Sequence, residues 1–301
     1  MSHKYKIWSL FVFFGTGIYA QSQDLSNILE QLESQQEDNT VTATFKATRI
    51  LNGHSIERMP QGQLDFRIHH RFGTLNSGAY NLWGIDAAQT QFSLEYGITD
   101  WWMTGVERSS YEKTYEGFFK FSLFRQKTGN ASFPLSISYL TAMTIRTQDF
   151  PYIDSLQNND NYPFSARLAY VHQLLIAHKF SNRFSLQISP VLVHYNMVTL
   201  ANEPNNIFAL GLGGRIKLTS RTSFNFEYYP RLKTKGIPSE YTDAFSIGFD
   251  IETGGHVFQL ILTNTQGMTE KDFIGRTTGK WNKGDIHFGF NISRVFNINR
   301  R

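Results

Sequence analysis

Apolar and polar residues alternate one for one over long stretches of this chain. In Phe133 to Ile145, the positions Phe133, Leu135, Ile137, Tyr139, Met143 and Ile145 are interleaved with Ser136, Ser138, Ala142 and Thr144. Ser223 to Tyr229 sets Phe224, Phe226 and Tyr228 against Ser223, Asn225 and Glu227. Asp285 to Ser293 sets Ile286, Phe288, Phe290 and Ile292 against Asp285, His287, Gly289, Asn291 and Ser293. Successive side chains of a strand point to opposite faces, so each run predicts a strand with one greasy face and one small or polar face. No helical period fits them.

The connections alternate as well. Short turns are predicted at Gly97 to Trp101, Lys127 to Ser132, Phe180 to Arg183, Ser220 to Thr222 and Thr253 to Gly255. Between them fall longer connections at Gly73 to Ala87, Ser109 to Thr114, Gln148 to Tyr162, Leu200 to Asn205, Thr234 to Glu240 and Asn264 to Lys283. Short periplasmic turns alternating with longer external loops mark a transmembrane barrel of the outer membrane, which carries an even number of antiparallel strands in single-chain bacterial examples. Counting from Leu64 to the end gives about 12 strands with both termini periplasmic, in an all-β fold. Val41 to Arg49 also alternates, but including it breaks the parity, so it reads as a periplasmic or plug-like segment ahead of the barrel. A further pair completed by Thr269 to Gly275 would raise the number to 14.

Composition fits this reading. The chain is 15% aromatic, with 26 Phe and 23 Gly, yet only 41% hydrophobic. A barrel gives such a mixture because only alternate residues meet lipid. The lack of cysteine excludes a disulfide framework, thiolate metal sites and a lipoprotein anchor. The net charge of +4 is scattered rather than clustered, which argues against nucleic-acid binding. Lys4 and Lys6 precede the apolar run Ile7 to Phe14 and a small-residue stretch ending at Ala20, the order of an export signal over residues 1–20. The predicted organisation is then a leader over 21–60 and a barrel over 61–301. Leu25, Ile28, Leu29 and Leu32 stand at helical spacing over Asp24 to Glu37, with Asp24 as N-cap, so this part of the leader reads either as a short amphipathic helix or, since isolated helices of this length are marginal in water, as a loosely ordered lead-in. Gly284 to Phe296 supplies the amphipathic last strand through which the barrel-assembly machinery would take up the protein. Trp83, Trp101, Trp102, Tyr152, Tyr162, Tyr195, Tyr241 and Trp281 fall near turns and loops, as aromatic girdles at the two membrane interfaces do.

The stretch Asp86 to Gln126, with His70-Arg71-Phe72-Gly73 before it and Gly255 to Leu260 and Thr263-Asn264-Thr265 after it, resembles a family of uncharacterised outer-membrane β-barrel proteins common in Bacteroidetes-type bacteria. The resemblance runs from about Thr44 onward. It implies an outer-membrane barrel and carries over no catalytic residues.

Turning the aromatic side of each strand to lipid directs Asp65, Arg67, His69, Arg71, Glu95, Lys120, Arg146, Arg167, Arg215, Lys217, Glu227, Arg231, Asp250 and Glu252 toward the lumen. Basic residues outnumber acidic ones in this set, which predicts a mild anion preference if the lumen is open. A lumen closed by paired charges is the other reading, since an unpaired buried charge is costly. About 12 strands lie between the filled interior of eight and the open channel of 16. On Ile207 to Leu218, Ala209, Gly211 and Gly213 followed by Arg215 and Lys217 leave lumen space for a solute or an inserted segment such as the leader helix. Gly211 to Arg215 is no phosphate loop, because no helix follows it.

Candidate chemistry is sparse. His69 and His70 face opposite sides of a strand, and the other histidines lack ligand spacing, so no metal or cofactor is expected. No G-x-S-x-G elbow occurs; His287, Asn291 and Ser293 on one face of the last strand form the best hydrolytic constellation. Three functional classes stand: a passive or weakly selective small-solute channel, a closed scaffold with a periplasmic or surface partner, and, least favoured, a lipid-embedded hydrolase. The channel is the leading reading and the protein is not expected to be an enzyme.

Overall fold

Twelve antiparallel strands close into a single barrel in this computed structural model, which describes residues 40–129, 132–150, 163–198, 200 and 202–298. The strands are β1 (Gln63–Thr74), β2 (Gln89–Gly97), β3 (Trp102–Ser109), β4 (Thr114–Phe124), β5 (Ser136–Arg146) and β6 (Leu168–Lys179). They continue with β7 (Phe184–Tyr195), β8 (Asn206–Lys217), β9 (Thr222–Tyr229), β10 (Ala244–Thr253), β11 (His256–Thr263) and β12 (His287–Asn297). Each strand pairs with its sequence neighbours, and β1 seals against β12 with Asp65 opposite Val295 and His69 opposite Asn291. Closure leaves no unpaired edge, the condition for strands to cross lipid. The export signal, the helix over Asp24 to Glu37, Tyr152 and Tyr162 lie outside the described residues.

Alternation sets the two faces. Phe92, Leu94, Val106, Tyr115, Phe119, Phe208, Leu210, Phe249, Leu260 and Phe288 are exposed on the outside, where lipid would cover them. Short turns join β2 to β3, β6 to β7 and β10 to β11 at one end, and the longer connections gather at the other, the arrangement expected where short turns face the periplasm and long loops the exterior.

The interior is filled from both ends. Residues 40–62 enter at the short-turn end, where Val41 N–H donates to Gln126 O, and turn back midway along the barrel, where Ile50 N–H donates to Gly53 O. The segment leaves by the same end, with Gly62 N–H bonded to Gly97 O immediately before β1. Phe45, Ile50, Leu51 and Ile56 of this plug are buried, packed with Leu175, Ala177 and Ile261 of the wall. From the other end the β11–β12 connection folds inward. Its Thr269 to Gly275 stretch forms no strand pair: Glu270–Gly275 is a helix, here α1, buried along its whole length. The extra pair is therefore absent and the strand number is 12, because Phe273 and Ile274 gain more by docking inside the barrel than by extending its wall.

Their dock corrects the expectation of a uniformly small and polar lumen face. Leu140, Val171, Val193 and Ile207 point inward from β5, β6, β7 and β8 and cluster with Phe273 and Ile274. Both faces of these strands are apolar at that level, so the alternation there is silent about direction. Tyr195 likewise turns inward instead of joining the girdle; its hydroxyl donates to Lys271 O at 2.5 Å.

Glycines accommodate the plug. A Cβ on Gly97 would collide with the backbone oxygens of Pro60 and Met59, whereas one on Gly117 would meet open space. Gly97→Val is expected to lower stability by about 1–3 kcal/mol through overpacking, and Gly117→Val to change it by under about 0.5 kcal/mol. Urea midpoints of the two folded variants check the contrast.

Candidate functional site

One buried arginine ties together plug, wall and loop inside the lumen. Arg49, at the inner turn of the plug, is 1% exposed. Its Nη2 lies 2.5 Å from Glu107 of β3, its Nη1 3.0 Å from Glu270 of α1, and its Nε 3.6 Å from Glu95 of β2. A guanidinium offers five donors in a fixed fork, so a single side chain can bridge plug, wall and external loop. Phe118 of β4 stacks beneath it, 5.7 Å from the guanidinium carbon, and also meets the His54 ring edge-on at 4.6 Å. Burial, reinforced by Arg49, holds His54 well below its ordinary pKa, so it sits neutral beside Glu270.

Around this centre the wall grips the plug's backbone. Lys120 Nζ donates to the carbonyls of Thr48, Ser55 and Glu57 at 3.3, 3.2 and 2.7 Å. Glu227 accepts from Asn52 N–H at 2.9 Å and Gly53 N–H at 3.1 Å. Arg71 donates to Asn52 Oδ1 at 2.8 Å, Gln259 to Ile50 O and Asn291 to Leu51 O, each at 2.9 Å, and Gln187 to His54 O at 2.8 Å. Arg67 bonds Thr48 Oγ1 at 2.8 Å and Asp65 at 2.6 Å. Lower down, Arg215 reaches Ala43 O at 3.2 Å, and Glu252 pairs with Lys46 at 2.5 Å.

Most of the residues directed to the lumen by strand parity are thus in it, and their partners are the chain itself. His69 bonds Asn291, and Asp250 accepts from Gln259. Lys217 stands half-buried at the short-turn rim. Arg146, Arg167 and Arg231 belong to the long-loop end: they pair with Glu112, Asp149 and Asp243. Parity missed Glu107 and Glu116, both buried on the inner face, so the expected excess of lumen cations is corrected. Buried acids of the wall are Asp65, Glu95, Glu107, Glu116, Glu227 and Asp250; buried bases are Arg67, Arg71, Lys120, Arg146 and Arg215. Glu107 faces Glu116 across the β3–β4 pair, and Glu116 shares the inward parity of Lys120 on β4, where the intervening Phe118 departs from the aromatic-out rule. Gly105 opposite it leaves room for the ring to turn inward, as a Cβ there would strike the ring. The hydrolytic candidates are also occupied structurally: His287 Nδ1 contacts Phe72 O, and Asn291 holds Leu51 and Gln259.

The sequence of residues 45–296 matches the family described as a membrane-bound β-barrel domain. The chain belongs to that family. The matched stretch of this membrane-bound β-barrel begins inside the plug, so plug and wall form one unit of sequence. Solved structures similar to it include the NanC porin, at 9% identity and a TM-score of 0.48 over 77% of this chain and 98% of that one. The KdgM porin matches at 7% and 0.45 over 78% and 99%, and the toluene transporter TodX of P. putida at 10% and 0.35 over 81% and 92%. These similarities assign no substrate. No curated protein matches the sequence.

Replacing Arg49 by Met leaves three buried carboxylates without their common counter-charge, and is expected to cost about 3–5 kcal/mol; Arg183→Met in an exposed turn should cost under about 0.5 kcal/mol. Chemical unfolding of the detergent-folded barrel measures both.

Burial also pushes the Glu270 carboxyl up from an ordinary 4.5 to about 7, against the pull of Arg49. The docked helix therefore holds a proton that the released helix gives up between these values. Docking of α1 is strongest below about pH 4.5 and weakens as pH rises through about 7. Hydrogen exchange over residues 264–286 should accelerate from pH 5 to pH 8 relative to exposed loops, and Glu270→Gln should flatten the dependence.

Proposed function

We propose that this protein is an outer-membrane channel for small solutes that rests closed, its passage occupied by its own N-terminal segment. The observation that carries this reading is the manner in which residues 44–59 are held. Much of the grip on the plug is polar, from Lys120, Glu227, Gln259 and Asn291 onto main-chain groups and from Arg71 onto the Asn52 side chain, beside an apolar contact at Phe45, Ile50, Leu51 and Ile56. The neutral bonds contribute only about 0.5–1.5 kcal/mol net and those of Lys120, Glu227 and Arg71 about 1.5–3 kcal/mol, since water replaces the partner on release. A plug held this way can leave a polar lumen without unfolding the wall, whose strands are hydrogen-bonded to one another throughout.

A closed scaffold is the competing reading, favoured by the dry ion cluster at Arg49, which costs more to dismantle. Planar-bilayer recording separates the two. The full chain should be silent for most of the record, and a variant lacking residues 44–58 should conduct in discrete steps. Six buried acids against five buried bases on the wall predict weak ion selectivity in that variant. Silence from the shortened barrel, with its β-sheet circular dichroism intact, would reject the channel in favour of the scaffold.

A further inference from the structure

The external mouth carries a second charged site, separate from the plug. The four-residue connection between β3 and β4 holds Glu112 and Lys113 at φ 51° and 48°, a left-handed conformation that side chains other than glycine rarely adopt. Two such residues in succession cost energy that the surroundings must offset, and such strain gathers at ligand sites. Its effect here is to aim the Glu112 carboxylate inward at three cations. Arg146 Nη1 lies 2.7 Å from Oε1 and Lys271 Nζ 2.8 Å from Oε2, while Arg276 Nη1 stands 3.9 Å from Oε1.

Among the described residues the charges there do not balance. Asp272, 2.5 Å from Lys271, is the second carboxylate, so three described cations face two described acids. Arg276 also keeps its Nε–H buried with no acceptor among the described residues. Burial raises the Glu112 carboxyl, but Lys271 and Arg146 outweigh it and hold the group below the usual carboxylate range. Lys271 is likewise held charged, because Asp272 and Glu112 overcome its burial. Beside the cluster a cavity of about 430 Å³ opens outward, lined by Gln89, Ser110, Tyr111, Lys113 and Gln148 as well as Arg146 and Glu112.

We propose that this mouth binds a small organic acid through its carboxylate, and that Glu112 stands in for that carboxylate while the site is unliganded. Arg146 and Lys271 already hold one planar carboxylate by both its oxygens, so the geometry for an incoming one exists before it arrives. An arriving polycarboxylate displaces Glu112, adds the charge the cluster lacks, and lets the connection relax from its left-handed turn. Oriented amide and hydroxyl groups of Gln89, Gln148 and Ser110 lie where the rest of the acid would rest.

A built-in competitor gives a prediction opposite to that of a structural ion pair. Calorimetric titration of the full-length, detergent-folded protein with citrate at low salt should show weak binding. Glu112→Gln should bind citrate at least tenfold more tightly, and adding Arg146→Gln should cancel that gain. Glu112→Asp, which keeps the charge but retracts it, should fall between the two and serves as the comparison if Glu112→Gln does not fold. Equal citrate affinity in the wild type, Glu112→Gln and Glu112→Asp would overturn the proposal, as would a gain that survives loss of Arg146.

Discussion

A charge taken out of water must find its counter-charge, and the interior of this barrel is organised by that requirement at Arg49. Three carboxylates from β2, β3 and α1 converge on it, although the chain brings them from widely separated positions. The plug could not stop at another depth without stranding the guanidinium or the acids, a cost of several kcal/mol. The same pairing fixes how far the β11–β12 connection dips, because Glu270 opens the helix that Phe273 and Ile274 anchor in the apolar dock. The ion cluster thus sets positions, and the hydrogen bonds and apolar contacts around it supply holding strength.

The division of labour follows from the two solvents involved. Outside, lipid accepts Phe, Leu and Val on every second position, and that demand is what makes the strands visible in the sequence. Inside, the filler is protein, so wall residues may be polar where they meet plug carbonyls and apolar where they meet α1. Lys120 and Leu140 show the contrast from adjacent strands: they stand opposite one another in register, one capping three plug carbonyls and the other lining the dock of Phe273.

The legibility of the chain tracks this difference. Strand number, turn parity and the inward direction of residues such as Arg67, Glu95 and Glu227 could be read from alternation, because lipid imposes it from one side. Glu107 and Glu116 are harder, since aromatic residues lie on both faces of β4: Phe118 turns inward between Glu116 and Lys120, and the Gly105 that makes room for its ring is found only through register. The depth of Arg49 is equally hidden: nothing local distinguishes it from a surface arginine, and its partners are 58 and 221 residues away. The Glu112 turn leaves a faint trace, a Glu-Lys pair in a four-residue connection, but its backbone strain has no sequence signature.

Arg49 and Glu270 lie 221 residues apart in the chain. Neighbouring hairpins can pair without either of them, whereas the ion cluster exists only when the plug, the β2–β3 hairpin and the β11–β12 connection share one enclosed interior. Contacts of such long range form slowly, so the cluster is a mark of the completed barrel rather than of any part of it.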